Sequence, residues 1–506
     1  MFRIICYPAG NGLYCGRIER MMSERYSDQT ADQSWDCGPV CTPADAAGAD
    51  DGTGGARVPH GAGPVGMMVA PPGQPMPDSP NATANPEGSI SPGNPVTSVT
   101  LINLGSMAGA PAGLAAELCA LSARMADANI FAEPWMLLPA MQHCSGARPA
   151  WLALIRDGAG ALVGAVPISI ADHFGRLPIR HWTLWSHPNA FLHAAAMAAG
   201  WESACWAALI THLHSAHRGD GLPRCAMFAV DAVPDDSAVY HGLMDAAGAL
   251  GLRVVVETRT TRAMLATTMP AETYWDESVR AKKRKELRRQ WARLNEQGEL
   301  TTQHLPPHGD AAPWIDEFLT LEASGWKGEN GSALACQADT KAFFTSAMAA
   351  AHTGGRLAMT ALRVDGRAIA MLITLTGGNA GFSFKTAFDE AYARFSPGVL
   401  LQRESLGLLV GQRLDWIDSC AAQDHPMIDS LWRERRTVLS LSLPMPGVRA
   451  GAVFAMGQTA KQAWHWIKGL RVKGPRANGA AQSAPATPRP DPANMTKGPI
   501  AQQDDE

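Results

Sequence analysis

Two segments, 151–170 and 357–376, show the same pattern of apolar runs on either side of an Asp-Gly dipeptide. Each predicts a β-hairpin, because Asp157-Gly158 and Asp365-Gly366 suit a tight turn between antiparallel strands. The two turns lie roughly 200 residues apart, about the length of one domain. This spacing indicates two related modules in tandem. Asp-Gly hairpins are common, so a chance match stays open at this point.

Apolar periodicity predicts further helices and strands around the two hairpins. Helices are expected at 112–128, from Pro134 onward, at 202–217 and at 237–250, and strands near 98–101, at 181–184, 225–230 and 253–257. A third strand follows the second hairpin and ends in polar residues. The next helix begins at Ser396-Pro397-Gly398, where Ser suits the N-cap and Pro the first helical position.

The segment 278–298 predicts a strongly basic helix, with Ser278 as its N-cap and Gly298 as its end. It holds two acidic residues, Glu286 and Glu296, against eight basic ones: Arg280, Lys282, Lys283, Arg284, Lys285, Arg288, Arg289 and Arg293. Such a face is often merely solvated. In a chain with a net charge of −4, it would also attract substrate phosphates, an anionic membrane surface or nucleic acid.

Composition sets the domain plan and excludes several classes of protein. The first hundred residues hold 13 Pro and 14 Gly, which predicts a disordered segment over 1–98, and the same is expected of 473–506. Between them we expect modules at 99–265 and 266–445 and a helix at 446–472. The ten cysteines form no CxxC pair, which argues against a zinc site or a disulfide scaffold. With no long apolar run and no signal peptide pattern, we expect a cytoplasmic protein, with or without peripheral contact to the inner membrane.

Three groups of residues carry candidate chemistry. The helix start at Ser396-Pro397-Gly398 would point backbone N–H groups at an anion, although it also reads as an ordinary capped helix. Lys385, Asp389 and Tyr392 follow the third strand; they suit acid–base roles, or a surface ion pair and a packed aromatic. Trp326-Lys327, between glycines, would cover a substrate or close the edge of a core.

Several stretches of the chain resemble a known superfamily. They are NIFAEPWMLLPA (129–140), KKRKELRRQWARL (282–294), LEASGWKG (321–328), FSFKTAFDEAYARFSPGVLL (382–401) and DSCAAQDHPMIDSLW (418–432). Together they make the segment 100–440 similar to GNAT acyltransferases, and within these to the CelD-type cellulose-biosynthesis branch, which is related to Fem-type peptidyltransferases. The resemblance implies a mixed α/β fold with two GNAT-like modules.

The resemblance also implies an activity: transfer of an acyl group from acyl-CoA, such as acetyl-CoA, to an amine or hydroxyl of a small molecule or polysaccharide precursor. Carried onto this chain, the CoA pyrophosphate would lie at Arg394, Ser396, Pro397, Gly398 and Val399. No metal is expected. Asp389 is the expected base or acceptor-orienting group, Tyr392 the proton donor and Lys385 a third catalytic group.

We expect four residues to bind the acceptor: Trp326, Lys327, Arg284 and Arg288. Two alternatives stay open. In one, the donor is an aminoacyl-tRNA, as in the Fem relatives, and the basic helix binds the RNA. In the other, the protein is a non-catalytic scaffold of a polysaccharide-synthesis assembly, which the partial match of Arg394–Leu400 to the GNAT phosphate loop would favour.

Overall fold

The computed structural model describes residues 96, 98–103, 113–146, 148–215 and 222–472. The segments predicted to be disordered, 1–98 and 473–506, lie outside the described residues except for residues 96 and 98. The chain forms two compact units, residues 1–457 and 458–506. The first unit carries the sheet and the candidate site.

The first half of the chain follows the predicted order of elements. Its helices and strands are β1 (Ser98–Asn103), α1 (Leu114–Ser122), α2 (Pro134–Cys144), β2 (Ala150–Arg156), β3 (Leu162–Ala171), β4 (His181–Leu184), β5 (Ala196–Met197), α3 (Glu202–Ser215), β6 (Met227–Pro234), α4 (Ala238–Ala249) and β7 (Val255–Leu265). The predicted hairpin 151–170 is the antiparallel pair β2–β3.

The second half begins with the basic segment and repeats the plan. Its elements are α5 (Ala271–Ser278), α6 (Ala281–Asn295), β8 (Leu300–His304), α7 (Ala312–Ala323), α8 (Trp326–Glu329), α9 (Ala338–Thr353), β9 (Leu357–Val364), β10 (Arg367–Gly377), β11 (Ala380–Phe388), α10 (Pro397–Gln402), α11 (Glu404–Gly411), β12 (Trp416–Asp418), β13 (Glu434–Pro444) and α12 (Val448–Val472). The hairpin predicted at 357–376 is the pair β9–β10.

The strands form one mixed sheet whose order reads the same from both edges. From one edge it runs β1-β2-β3-β4-β6, and from the other β8-β9-β10-β11-β12. In each series the neighbours are antiparallel until the last pair, β4–β6 or β11–β12, which is parallel. The mixed α/β fold is therefore confirmed, and the repetition extends from the two hairpins to the whole strand order.

The last strand of each half lies beside the other half. β13 pairs with β6 from residue Met227 to Pro234, and β7 pairs with β12 through Ile417↔Leu265 and Asp418↔Met264. β13 and β7 then pair with each other at the centre of the sheet. The module boundary between residues 265 and 266 stays a prediction, because strands from both sides of it belong to one sheet.

Two faces of the second half hold separate apolar clusters, because successive residues of a strand point to opposite faces. On one face Leu362 and Val364 of β9 pack with Leu294 of α6 and Leu401 of α10. On the other face, Met359 and Ala361 belong to the main core, which includes residues of α7 and α9. Any ligand between β11 and β12 would therefore connect two differently lined faces of the sheet.

The predicted basic helix differs from the structure at its start. Ser278 is the last residue of α5, and α6 begins after Arg280 without a side-chain cap. Arg284 of α6 instead donates to the carbonyl oxygen of Val279 at 2.6 Å and to that of Asp276. The acidic and polar residues before Ser278 form a helix of their own, α5, which the pattern of basic residues did not indicate.

Candidate functional site

β11 and β12 separate after only three residue pairs. They pair in parallel from Ala380↔Trp416 to Phe382↔Asp418. After Asp418 the chain turns toward β7, where the Ser419 N–H donates to the Ala263 carbonyl oxygen at 3.2 Å. β11 continues to Phe388, so within the described residues its second half has no strand partner on the β12 side. An open strand edge can bind an extended ligand through backbone hydrogen bonds.

A β-bulge lies on β11 just where the two strands part. Ile373 of β10 faces Lys385, but the next residue, Thr374, faces Ser383, so Phe384 is the additional residue. Such a bulge redirects side chains. Ser383 and Thr386 face α10, where the Gln402 side-chain amide lies 3.4 and 3.3 Å from their hydroxyl oxygens.

Lys385 lies on the opposite face, between two aromatic rings. Its Nζ is 5.7 Å from the ring centroid of Phe191 and 5.5 Å from that of Phe384. Burial, and then the neighbouring Lys327 ammonium, lower the pKa of Lys385 to about 8, although Glu322 opposes the shift. A lysine in this state can both carry a positive charge and exchange a proton near neutral pH.

An ion pair and an exposed Trp lie beside Lys385. Lys327 Nζ contacts the buried Glu322 carboxylate at 2.8 Å, and the same carboxylate accepts the Leu334 N–H at 2.9 Å. Burial raises the pKa of Glu322, but Lys327 and the backbone donor outweigh it, so the pKa is lowered overall. Trp326 is 52% exposed, and its backbone N–H donates to the Glu390 carboxylate at 2.7 Å. These residues border a shallow groove that also includes Thr386 and Phe388 of β11.

The first half of the chain contributes to this site, which the sequence did not predict. After β4, the chain passes beside β6, where the His193 backbone N–H donates to the Ala232 carbonyl oxygen at 3.0 Å. This segment carries Phe191 to Lys385, and it carries His187 against the ring of Phe343, with centroids 4.9 Å apart. Burial, and then Lys385, lower the pKa of His187 to about 4. The imidazole is therefore neutral at pH 7.

A buried ionic network lies where β12 ends. Asp418 is fully buried and contacts two arginines, Arg262 of β7 at 2.7 Å and Arg436 of β13 at 3.5 Å. Arg436 also contacts the more exposed Asp236 at 3.4 Å, and its guanidinium carbon is 4.4 Å from the ring centroid of Trp416. The network joins β12 to β7 and β13, the two strands that each lie beside the other half of the chain. Sequence alone gave no signal for it, because its members come from four separate segments of the chain.

The predicted phosphate turn has an unexpected conformation. Ser396 has a left-handed backbone (φ 53°) and does not cap α10; its hydroxyl instead accepts a hydrogen bond from the Gln290 side chain at 3.2 Å. Pro397 has no N–H, and the N–H groups of Val399 and Leu400 donate to the Ser396 carbonyl oxygen. The Gly398 N–H is therefore the donor that this turn can offer to a ligand, fewer than the helix start predicted.

A basic cleft lies beside this turn, between α6 and the 3₁₀ helix Glu390–Phe395. Its volume is about 300 Å³, and its lining residues are Arg289, Gln290, Arg293, Glu296, Gln297, Arg394 and Phe395. Arg394 donates to the Gln297 side-chain oxygen at 3.3 Å, and its guanidinium carbon lies 4.7 Å from the ring centroid of Phe395. Three guanidinium groups against one carboxylate make the cleft attractive to a phosphate.

The structure separates the other predicted site residues from Lys385. Asp389 caps the 3₁₀ helix by accepting the Ala391 N–H at 2.9 Å, and pairs with Arg367 at 2.6 Å. Tyr392 packs in the apolar cluster of α6 and α10, on the face opposite Lys385. Arg284 pairs with Asp276 at 3.2 Å, whereas Arg288 is exposed on α6. Their predicted roles stay predictions.

Residues 281–425 match the family model of the acetyltransferase (GNAT) domain. This segment is similar to GNAT-type acetyltransferase domains. It contains α6, the bulged strand β11, the Ser396 turn and β12, so the resemblance expected from sequence is confirmed at the level of the superfamily. The CelD branch stays a prediction. A search of the curated proteins found no match.

Solved structures with similar folds include three proteins. The tandem GNAT protein from the clavulanic acid biosynthesis pathway is 15% identical, with 69% of this chain and 100% of that chain covered and a TM-score of 0.37. FemX is 10% identical, with 64% and 95% covered and a TM-score of 0.40. L-PGS from Bacillus licheniformis is 12% identical, with 67% and 94% covered and a TM-score of 0.37.

No described helix is long and apolar enough to cross a bilayer. No group of three or more His, Cys, Asp or Glu side chains among the described residues is arranged to hold a metal ion.

Proposed function

We propose that the second half of the chain is an acyl-CoA-dependent acyltransferase acting on an amine or a hydroxyl. The observation that carries this proposal is the separation of β11 and β12 after Phe382 and Asp418, beside the β-bulge at Phe384. The pantetheine arm of CoA is extended and rich in amides, so it suits the open edge of β11. The GNAT family match over the same residues supports the proposal.

Each of the two substrates would approach the reacting site from a different face of the sheet. The nucleotide end of the donor would bind on the α6 and α10 face, near the Gly398 N–H and the basic cleft, and the thioester would reach the bulge at Phe384. The acceptor would approach from the α7 face, along the groove beside Trp326 and Lys327. This arrangement keeps the two substrates on opposite sides until their reacting atoms meet.

Lys385 is the group that we propose for the chemical step. The acceptor nitrogen or oxygen attacks the thioester carbon, a new C–N or C–O bond forms, and the C–S bond breaks. The Lys385 ammonium stabilises the negative charge that develops on the carbonyl oxygen and gives its proton to the departing thiolate. The proton of the acceptor passes to solvent, and Lys385 takes up a proton from solvent to regain its ammonium form. In this proposal Asp389 and Tyr392 are not needed for proton transfer, because one is engaged with Arg367 and the other packs on the opposite face.

For the acceptor we propose a polysaccharide precursor, such as an amino sugar. The sequence resemblance to CelD-type proteins supports this class. The half-exposed Trp326 supports it independently, because an indole ring offers an apolar platform for a sugar face while neighbouring carboxylates can accept hydroxyl hydrogen bonds. Transfer of labelled acetyl from acetyl-CoA to amino sugars, oligosaccharides and simple amines would identify the acceptor.

A thermal-shift titration of the full-length protein with acetyl-CoA tests the donor. At a hundred times the dissociation constant, the ligand should stabilise the fold by about 2.7 kcal/mol. Gly398→Asp should abolish the shift, because it places a carboxylate beside the phosphate turn. Gly398→Ala is the matched control: an added Cβ would lie 3.4 Å from Met427 and Thr386 atoms, an ordinary contact, so it should retain binding. No shift with acetyl-, succinyl- or longer acyl-CoAs would exclude this function.

An aminoacyl-tRNA donor is the second candidate. One observation favours it: five basic residues of α6 are exposed on its surface, namely Lys282, Lys285, Arg288, Arg289 and Arg293. Such a face would bind RNA with an affinity that falls steeply with salt concentration. The same face would suit an anionic membrane surface. Binding of tRNA without any binding of acyl-CoA would favour this candidate.

A further inference from the structure

The basic cleft between α6 and the 3₁₀ helix Glu390–Phe395 carries more positive charge than a single phosphate group bound at the Ser396 turn would require. A helix start with a single available N–H can hold one phosphate group only weakly. The cleft adds Arg289, Arg293 and Arg394 within a volume of about 300 Å³. Within the described residues, neither Arg289 nor Arg293 forms an ion pair with a carboxylate of this chain.

Gln290 links the cleft to the turn. Its side-chain nitrogen donates to the Ser396 hydroxyl at 3.2 Å, while its side-chain oxygen is buried and accepts no hydrogen bond in the structure. α6 and α10 also share an apolar cluster through Leu294 and Leu401, so the cleft and the turn are fixed to each other. A ligand bound at the turn would therefore have a second, charged anchor beside it.

We propose that this cleft binds a phosphate monoester, and specifically the 3′-phosphate of the CoA donor. The inference rests on the proposed function and deepens it. A phosphate monoester carries a charge between −1.5 and −2 at pH 7, more than one phosphate of a diester or pyrophosphate linkage, and arginine forks match its oxygens. Of the groups on CoA, the 3′-phosphate has this chemistry. The phosphorylated end of an RNA has it too, so the experiment separates these two sources.

The direct test compares acetyl-CoA with acetyl-dephospho-CoA, which lacks only the 3′-phosphate, by calorimetric titration of the full-length protein. We expect acetyl-CoA to bind about ten to a hundred times more tightly, the size of one or two charge-assisted hydrogen bonds. Arg289→Gln and Arg293→Gln should reduce this preference and leave the affinity for acetyl-dephospho-CoA unchanged.

Arg288→Gln is the matched control. Arg288 is exposed on the same helix, next to Arg289, and does not line the cleft. Its removal should leave the preference for the 3′-phosphate intact. All three arginines are exposed, so the melting temperature of each variant without ligand should stay near that of the wild type; a loss of folding would be seen there directly.

The outcomes separate the cleft from the proposed function. Equal affinity for the two donors, or an equal loss of preference in the Arg288 control, would overturn the assignment of the cleft but leave acyl-CoA transfer standing. Binding of neither donor would exclude the acyl-CoA function itself. If a 5′-phosphorylated RNA binds, is displaced by neither donor and is lost in Arg293→Gln, then the cleft serves an RNA end and the CoA assignment is wrong.

Discussion

The aromatic ring of Phe191 lies 5.7 Å from the side-chain nitrogen of Lys385, although the two residues come from opposite halves of the chain. A ring face stabilises a cation at this distance, by about 2 kcal/mol where water is largely excluded. A residue of the first half thus stabilises the charged form of Lys385, the proposed catalytic group in the second half. The segment that carries Phe191 follows β4 and is bonded to β6 through the His193 backbone N–H and the Ala232 carbonyl oxygen.

Replacing Phe191 by Leu should shift the pH profile of acyl transfer. Activity should fall in the wild type as Lys385 loses its proton near pH 8. Without the ring the cation is held less well, so its pKa falls and the alkaline limb of kcat/KM should move to lower pH, by up to about one unit. Phe131→Leu is the control, because Phe131 contacts Phe191 and Phe384 but is not in contact with the ammonium. An equal shift in both variants would argue against the contact.

Replacing Lys385 by Met should abolish activity and raise stability together. The pKa of Lys385 is about 8 in the folded protein and about 10.4 when unfolded. Below pH 8 both states hold the proton, and its burial costs the fold about 3 kcal/mol at most. Between the two values the unfolded state holds more protons, so the stability of the wild type rises with pH.

Denaturant unfolding at several pH values measures this effect. Lys385→Met should be more stable than the wild type at pH 7, and the difference should shrink as the pH rises from about 8 to about 10.4. Lys341→Met, at an exposed position on α9, should change neither stability nor activity by a comparable amount. A destabilised Lys385→Met at pH 7 would contradict the prediction.

The Glu322–Lys327 pair offers two substitutions with opposite expected effects. Glu322 raises the pKa of Lys385 and Lys327 lowers it. Glu322→Gln should therefore move the alkaline limb of kcat/KM to lower pH, and Lys327→Met should move it to higher pH. Measuring both profiles in one buffer series gives the sign directly. Shifts in the same direction would mean that the limb reports another group.

Replacing Asp418 by Asn should destabilise the protein by about 3–5 kcal/mol. The change leaves the buried guanidinium groups of Arg262 and Arg436 without their shared anion. Asp235→Asn is a suitable comparison, since Asp235 pairs with Arg259 at the surface and such pairs contribute less than about 1 kcal/mol. Chemical denaturation of both variants would measure the difference, and similar losses would show that burial of the network matters little.

The sequence predicted the parts of the fold that depend on local pattern. Both Asp-Gly hairpins, the start of α2 at Pro134 and the strand His181–Leu184 agree with the structure, because each is determined by a few neighbouring residues. β7 was predicted only at 253–257, yet it extends to Leu265. Its continuation, Thr258–Arg262, is polar, and its partners in β13 lie far along the chain.

For the candidate site, the sequence predicted roles for Lys385 and the Ser396 turn, which stay predictions, but it did not predict the groups that contact them. Lys385 was grouped with Asp389 and Tyr392 because all three lie at or just after the end of the third predicted strand. The bulge at Phe384 and the ion pair of Asp389 with Arg367 show that nearness along the chain did not imply a shared cleft. The position of Phe191 beside Lys385 depends on how elements that are distant in the sequence pack together. The same is true of the positions of Arg289 and Arg293 in the cleft.

The exchange of β7 and β13 has a consequence for how the chain is made. During synthesis, β6 emerges roughly 200 residues before β13, its neighbour in the finished sheet, so the nascent first half carries an exposed strand edge until β13 has been made. Such an edge invites wrong pairing and aggregation. A ribosome that stalls before β13 would leave β6 and β7 without their shared neighbour, and nascent chains of this protein should depend on chaperones until β13 is released.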